Sequence, residues 1–417
     1  MILIKNNMKA GKVLLTDCLR KIPEKEKIAY LAHYNAAQWC ETAESAIAHE
    51  VGLLLFYNIK NISSRLDIDK DVLDEMRRKY YVSAAKNMRL YIELQKILDI
   101  FEAEKISIVL LKGAHLAESE YDNIALREMG DVDLLAKQSD LKRIEERILK
   151  AKGTPQESMC IDPKHSCHFK YITQGNLSVE THRRLISSLF GCDIDLDGIR
   201  ERAKKRTGQD GIFVLSNEDL LIYTCAHAAK HTADMRMIMI CDIAEILGRY
   251  GNILDWEVLS SRAREWGILR SVYALIRLSY QLLEAAVTEE QLAALRPAQF
   301  EEEKYSLVLK QILDYGTAGK SPQLSPSSAK LWAFKGAKGK LKLIAKSIFL
   351  LRKTMSLMYH IPASSTLIYL YYPVRLKDVL LRHGRGTWRL IFGGKKTHVL
   401  AQEVNEVSLL RDGLLSD

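Results

Sequence analysis

The stretch from Met129 to Leu135, "MGDVDLL", decides how this chain is read. Strand side chains alternate between two faces, so Asp131 and Asp133 share one face while Val132 and Leu134 share the other. Two bare carboxylates on one face repel and drive a pKa upward. A divalent cation between them removes that penalty, because hard cations take carboxylate oxygens readily.

Upstream, "ISIVLL", Ile106 to Leu111, is a short run of β-branched and aliphatic residues that predicts a strand, closed by Lys112-Gly113, where the chain can turn. A short helix from Ala114 and a polar loop around Asp122-Asn123 lead into the aspartate strand. Downstream, "SDLKRIEERILKAKG" sets Leu141, Ile144 and Ile148 on one helical face, with Ser139 as N-cap and Gly153 as the stop. "HFKYITQGNLSVETH" then reads as two strands around a Gln174-Gly175-Asn176 hairpin turn. In the second strand Leu177, Val179 and Thr181 face one way, and Ser178, Glu180 and His182 the other. A third strand carboxylate has therefore appeared.

Helices flank this centre. "LQKILDIFE" places Leu94, Ile97, Leu98 and Phe101 on one buried stripe. Ser216 and Asp219 have capping-box spacing and open a helical stretch that runs to about Asp314. "GTAGKSPQLSPSSAK" is a Gly/Ser/Pro linker. The organisation expected is an N-terminal helical segment (1–104), a core (105–210), a helical domain (211–315), a linker (316–330) and a basic tail (331–417). The fold class expected is α+β, with a small mixed sheet between helical regions.

Composition sets the outer limits. With 417 residues, 47% hydrophobic and 27% charged, the chain is globular and long enough for two or three domains. Its seven cysteines are scattered and never form a CxxC pair, which argues against a disulfide framework or a zinc ribbon and for a reducing cytoplasm. The apolar block at the N-terminus is too short for a secretory signal, and no run of about 18 apolar residues occurs to span a bilayer. The net charge is +9, but Lys330 to Lys396 alone carries fifteen basic residues against the single Asp378, a net +14 that leaves −5 for the remainder. Basicity thus belongs to the tail, which weakens a nucleic-acid substrate for the rest.

Strand, Lys-Gly turn, helix, Asp-x-Asp strand and a further strand with an acid is a layout that resembles the nucleotidyltransferase superfamily. "VLLKGAHLAESEY", "REMGDVDLLAK", "VETHRRL", "LLIYTCAHAAKH", "CDIAEIL" and "LDWEVLSSRAREWG", spread between Trp39 and Leu283, are similar to the branch known as uncharacterised nucleotidyltransferases, often found in bacterial biosynthetic gene neighbourhoods. The resemblance implies in-line displacement at the α-phosphate of a nucleoside triphosphate, with two Mg²⁺ ions held by Asp131 and Asp133. It implies that Glu180 binds the catalytic metal or helps deprotonate the acceptor, that Lys112 and the Gly113 backbone hold the triphosphate, and that Arg127 adds a phosphate contact. The acceptor stays open: a small molecule, a sugar, a peptide or a protein. Two features depart from the superfamily pattern. Lys112-Gly113 stands where many members have Gly-Ser, with a longer interval to the aspartates, and the third acid is Glu where Asp is commoner.

Other signals carry competing readings. His182 shares the face of Glu180 and is either substrate-positioning or simply a packed or solvent-facing residue. Arg183 and Arg184 read as solvated surface residues or phosphate contacts. "HAAKH" puts His227 and His231 at i and i+4 without the HExxH glutamate, and Asp242 on the next helix could join them, which favours a structural or substrate-positioning network over a metal site. The Cys160/His165/Cys167/His168 group fits no zinc spacing, and "DIDLDG" lacks the final glutamate of a calcium loop. "KLKLIAKSIFLLRKTMSLM" is a basic amphipathic segment suited to an anionic membrane surface, to a polyanion or to packing on the body of the protein, whereas "STLIYLYYPV" reads as a buried strand or helix. A second function class remains beside the enzyme: a non-catalytic nucleotide-binding or scaffold protein that docks at a membrane or biosynthetic complex through its tail.

Overall fold

The structure is a computed structural model that describes residues 10–151, 154–155, 168–182, 185, 194–231, 235–315, 355 and 365–377. The N-terminal region folds as α1 (Ala10–Leu19), α2 (Glu24–Leu31), α3 (Ala36–Ala48), α4 (Gly52–Ile59) and the long α5 (Lys70–Ala103). Asn35 caps α3 in a reciprocal box with Gln38. The far half of α5 buries the expected stripe, Leu94, Ile97, Leu98 and Phe101, against the sheet.

Seven strands form that sheet: β1 (Ile108–Leu111), β2 (Asp131–Ala136), β3 (Thr154–Pro155), β4 (His168–Ile172), β5 (Ser178–His182), β6 (Lys204–Lys205) and β7 (Ile212–Val214). Their order is β3-β4-β5-β2-β1-β7-β6. The pairs β2–β5 and β1–β7 are parallel and the rest antiparallel, so the sheet is mixed and the class is α+β, as expected. One face, built from Ile108, Leu110, Val132, Leu134 and Val179, packs under α5 and under α7 (Leu141–Lys150), whose Leu141, Ile144 and Ile148 are buried. The opposite face sends Val109, Leu111 and Leu135 into a second core shared with the helical region. Between β1 and β2 lies α6 (Lys112–Ser119), and α8 (Leu196–Arg202) precedes β6.

Ser216 accepts from the Asp219 amide and caps α9 (Asn217–Lys230), the first of six helices that continue as α10 (Met237–Tyr250), α11 (Trp256–Glu265), α12 (Leu269–Leu283), α13 (Glu289–Leu295) and α14 (Glu302–Asp314). Both α9 and α10 are buried around most of their circumference, which fits their place at the centre of the helical core.

Several local expectations need correction. β1 starts at Ile108, two residues later than the apolar run suggests, because Lys105 takes a left-handed φ of 54° as the chain leaves α5. Lys112 is already the first residue of α6, so strand passes into helix without an intervening loop. Asp140, not Ser139, is the N-cap of α7. Its backbone has turned helical through the Lys137–Asp140 turn, and its carboxylate faces Arg143 instead of a helix amide. The "STLIYLYYPV" segment contains a 3₁₀ turn, Thr366–Leu370, in which Ile368 is buried while Leu367, Tyr369 and Leu370 are exposed. Three residues per turn leave one side chain per turn facing the body. In "DIDLDG", Asp195 caps α8 by accepting from the Asp197 and Gly198 amides.

Gly153, Arg183, Arg184, the Cys160/His165/Cys167 group, the 316–330 linker and nearly all of the basic amphipathic segment lie outside the described residues. Among the described residues no helix is long and apolar enough to cross a membrane.

Candidate active site

The site begins with register. Parallel pairing of β2 with β5 sets Asp131 opposite Ser178, Asp133 opposite Glu180 and Leu135 opposite His182. Strand alternation then turns Asp131, Asp133, Glu180 and His182 to one face, while Val132, Val179 and Thr181 are buried on the other. His182 Nε2–H donates to Asp133 Oδ1 (2.5 Å) and stands 3.9 Å from Glu180 Oε2. Asp133, Glu180 and His182 each offer a ligand atom, and these atoms lie within 4.8 Å of one another.

Cations already balance part of this charge. Lys170 sits directly across the β4–β5 hairpin from Glu180 and donates to its Oε1 at 2.7 Å, which raises the lysine's pKa. Lys112 reaches Asp133 Oδ2 at 3.1 Å. It can do so because antiparallel β1 ends with Leu111 opposite Asp133, so the next side chain emerges beside the carboxylate. Burial alone would raise the Asp133 pKa, but the His182 hydrogen bond and Lys112 hold it well below the usual carboxylate range. Asp131 shifts the other way, raised by burial and then by Asp133 and Glu180. Among the described residues Asp131 has no hydrogen-bond or ion-pair partner.

Lys112 holds this position with a left-handed φ of 43°, a conformation that costs an ordinary residue about 1–2 kcal/mol. Such strain persists where surrounding structure fixes it, commonly at functional sites. At the next residue, a Cβ added to Gly113 would meet only the Arg127 Nη1, at 3.8 Å. That is ordinary contact, so the protein's own packing does not require glycine there.

Arg127, expected as a phosphate contact, forms a fork with Asp242: Nε to Oδ1 at 2.9 Å and Nη2 to Oδ2 at 3.0 Å. Its Nη1 donates to the Glu128 carbonyl, and Tyr121 donates to Asp242 Oδ1 at 2.6 Å. The knot ties the loop before β2 to α10. Asp242 is therefore engaged by Arg127 and Tyr121, while the His227 and His231 rings lie against each other at a tilt of 53°, centroids 4.9 Å apart. Burial, then Lys112 and His231, lower the His227 pKa well below its ordinary value and keep the imidazole neutral at physiological pH.

α9 closes the site from the helical side. Its buried Tyr223 lies 5.9 Å, ring centroid to ammonium, from Lys112 and feels the charges of Asp133, Asp131 and Glu180. His227 and Lys230 follow at i+4 and i+7 on the same face. Sequence reading brought forward His227 but passed over Tyr223, Lys230 and Lys170. The signal for Lys170 was the hairpin, whose symmetry about Gly175 pairs residue 170 with 180. For Tyr223 and Lys230 it was the helical spacing from His227.

Three strand acids beside a strained lysine at a strand–helix junction form a site suited to phosphoryl-group chemistry with a hard cation. The chain matches the family described as uncharacterised nucleotidyltransferase over residues 35–284, more than half of its length, and it belongs to that family. No curated protein and no solved structure matches it.

Proposed function

We propose that this protein is a Mg²⁺-dependent enzyme that moves a nucleoside monophosphate from a nucleoside triphosphate to an acceptor hydroxyl or phosphate and releases pyrophosphate. The observation that carries the reading is the β2–β5 register, which sets Glu180 beside Asp133 and gathers oxygen and imidazole donors on one face. That donor set fits a hard divalent ion, with Asp131, Asp133 and Glu180 as the carboxylates that hold two Mg²⁺. When bound, Mg²⁺ activates the attacking oxygen and stabilises the charge of the leaving pyrophosphate.

The chain's own groups supply the rest. Asp133 stays ionised because His182 and Lys112 stabilise its charged form, so it is ready as a ligand across the physiological range. Lys112 and the Gly113 amide receive the triphosphate, and the missing side chain at Gly113 leaves room for close approach of phosphate oxygens. Glu180 takes the proton of the acceptor hydroxyl, and Lys170 holds that carboxylate in place. Tyr223 and the neutral His227 line the helical wall. The acceptor is a small molecule, sugar, peptide or protein, since fold and site chemistry do not choose among them.

The test is incubation of the purified protein with α-phosphate-labelled triphosphates, Mg²⁺ and host lysate, beside an Asp131→Asn/Asp133→Asn double variant. Label transferred only by the wild type supports the enzyme, and its partition among small molecules, RNA and protein reveals the acceptor class. Equal label with both proteins across all four nucleotides moves the reading to a non-catalytic nucleotide-binding scaffold.

A further inference from the structure

We propose that Lys230, at the end of α9, grips the triphosphate from the helical wall, opposite Lys112 on the sheet. This assignment deepens the nucleotidyltransferase reading and rests on it. Tyr223, His227 and Lys230 form one helical stripe, and its first member packs beside the Lys112 ammonium. The stripe therefore runs along the opening in which Asp131, Asp133 and Glu180 lie.

The lysines around this opening differ in what they hold. Lys112 is paired with Asp133 and Lys170 with Glu180. Lys230 has no hydrogen bond or ion pair among the described residues, although Asp133 and Glu180 are near enough to act on it. Its exposed ammonium ends the stripe and feels the Lys112 charge, yet it is left without a paired anion of its own among the described residues. A polyphosphate chain supplies that anion, offering several oxygens to ammoniums on opposite walls. The charges agree: three lysines offset the three carboxylates, and added divalent cations leave the opening positive for a ligand with about four negative charges.

The experiment measures equilibrium binding of α,β-methylene nucleoside triphosphates, whose α–β link resists transfer, and of the matching monophosphates, all with Mg²⁺. Wild type is compared with Lys230→Gln and Lys230→Arg, and thermal melts check that each variant is folded. Lys230→Gln is expected to weaken the triphosphate analogue about tenfold or more, as loss of a charge-assisted contact does. Monophosphate affinity should change less than about twofold, and Lys230→Arg should restore most triphosphate binding, because the charge is kept. Equal binding of the triphosphate analogue by wild type and Lys230→Gln, or equal loss of both ligands, overturns the assignment of Lys230 alone. A wild type that binds no triphosphate overturns the nucleotidyltransferase reading and this assignment with it.

Discussion

Two charged clusters of this molecule use similar residues in opposite ways. Around Asp242, Arg127 and Tyr121 spend their side-chain donors on the carboxylate and on the Glu128 carbonyl. Asn87 completes that knot by donating to the Arg127 carbonyl and accepting from the Met129 amide. Around Asp133 the bonding is incomplete: Asp131 and Lys230 have no hydrogen-bond or ion-pair partner among the described residues, and Lys112 is held in a strained conformation. The first cluster is saturated and joins the loop before β2 to α10. The second keeps unspent charge where a ligand can reach it. Buried polar networks stabilise when every member is satisfied, so the unsatisfied cluster points to ligand chemistry.

The contrast breaks most clearly at the two aspartates that define it. Asp133→Asn should lower nucleotidyl transfer by about a thousandfold or more, because a ligand and the partner of both Lys112 and His182 lose their charge. Its thermal stability should also fall, because Lys112 and His182 lose the carboxylate they stabilise, but the loss of transfer is the larger effect. Asp242→Ala should do the reverse, costing about 3 kcal/mol in denaturant unfolding by leaving the Arg127 charge without its partner. A folded Asp242→Ala protein with near-native stability and no transfer would place Asp242 in the chemistry and erase the distinction.

A smaller effect sharpens it. The Asp131 pKa is raised in the folded protein, so the folded state binds protons more tightly than the unfolded chain. Its contribution to stability is therefore fully present below the ordinary aspartate pKa and lost as pH rises through the raised value. Asp131→Asn should consequently stabilise the protein by about 1 kcal/mol at pH 7 while abolishing transfer, a trade typical of functional sites. The gain should vanish in melts below about pH 4, where Asp131 is protonated in both states. A variant equally stabilised at pH 7 and at acid pH would mean that its charge does not burden the fold. The Asp133 pKa is depressed, so its stabilising contribution should persist through this range and fall away only at more acid pH.

Much of the site was legible because it depends on short-range periodicity. The alternation in β2 and β5 correctly separated Asp131, Asp133, Glu180 and His182 from the residues buried beneath them. The hairpin turn was also local, closed by Thr173 and Leu177 with Asn176 at a left-handed φ of 66°. Arg127 and Asp242 were harder to place. Each carries a charge compatible with substrate binding, and only the meeting of α10 with the loop before β2 joins them in a fork. The cap of α7 was misread for a smaller reason, since a Ser-Asp pair offers two candidate cap oxygens and the preceding turn had already set the backbone.

The sequence by itself determined which elements form, which side chains share a strand face and which family the chain resembles, because helix and strand periods are written in adjacent residues. Only the tertiary structure decided that β5 runs parallel to β2 in the register that sets Glu180 beside Asp133, that Leu111 ends opposite Asp133 so that Lys112 meets it, and that α9 lays Tyr223, His227 and Lys230 over the opening. Those choices come from burying two faces of one sheet against helices distant in the chain. Packing of that kind depends on all of the apolar surface at once, so no short stretch of sequence contains it.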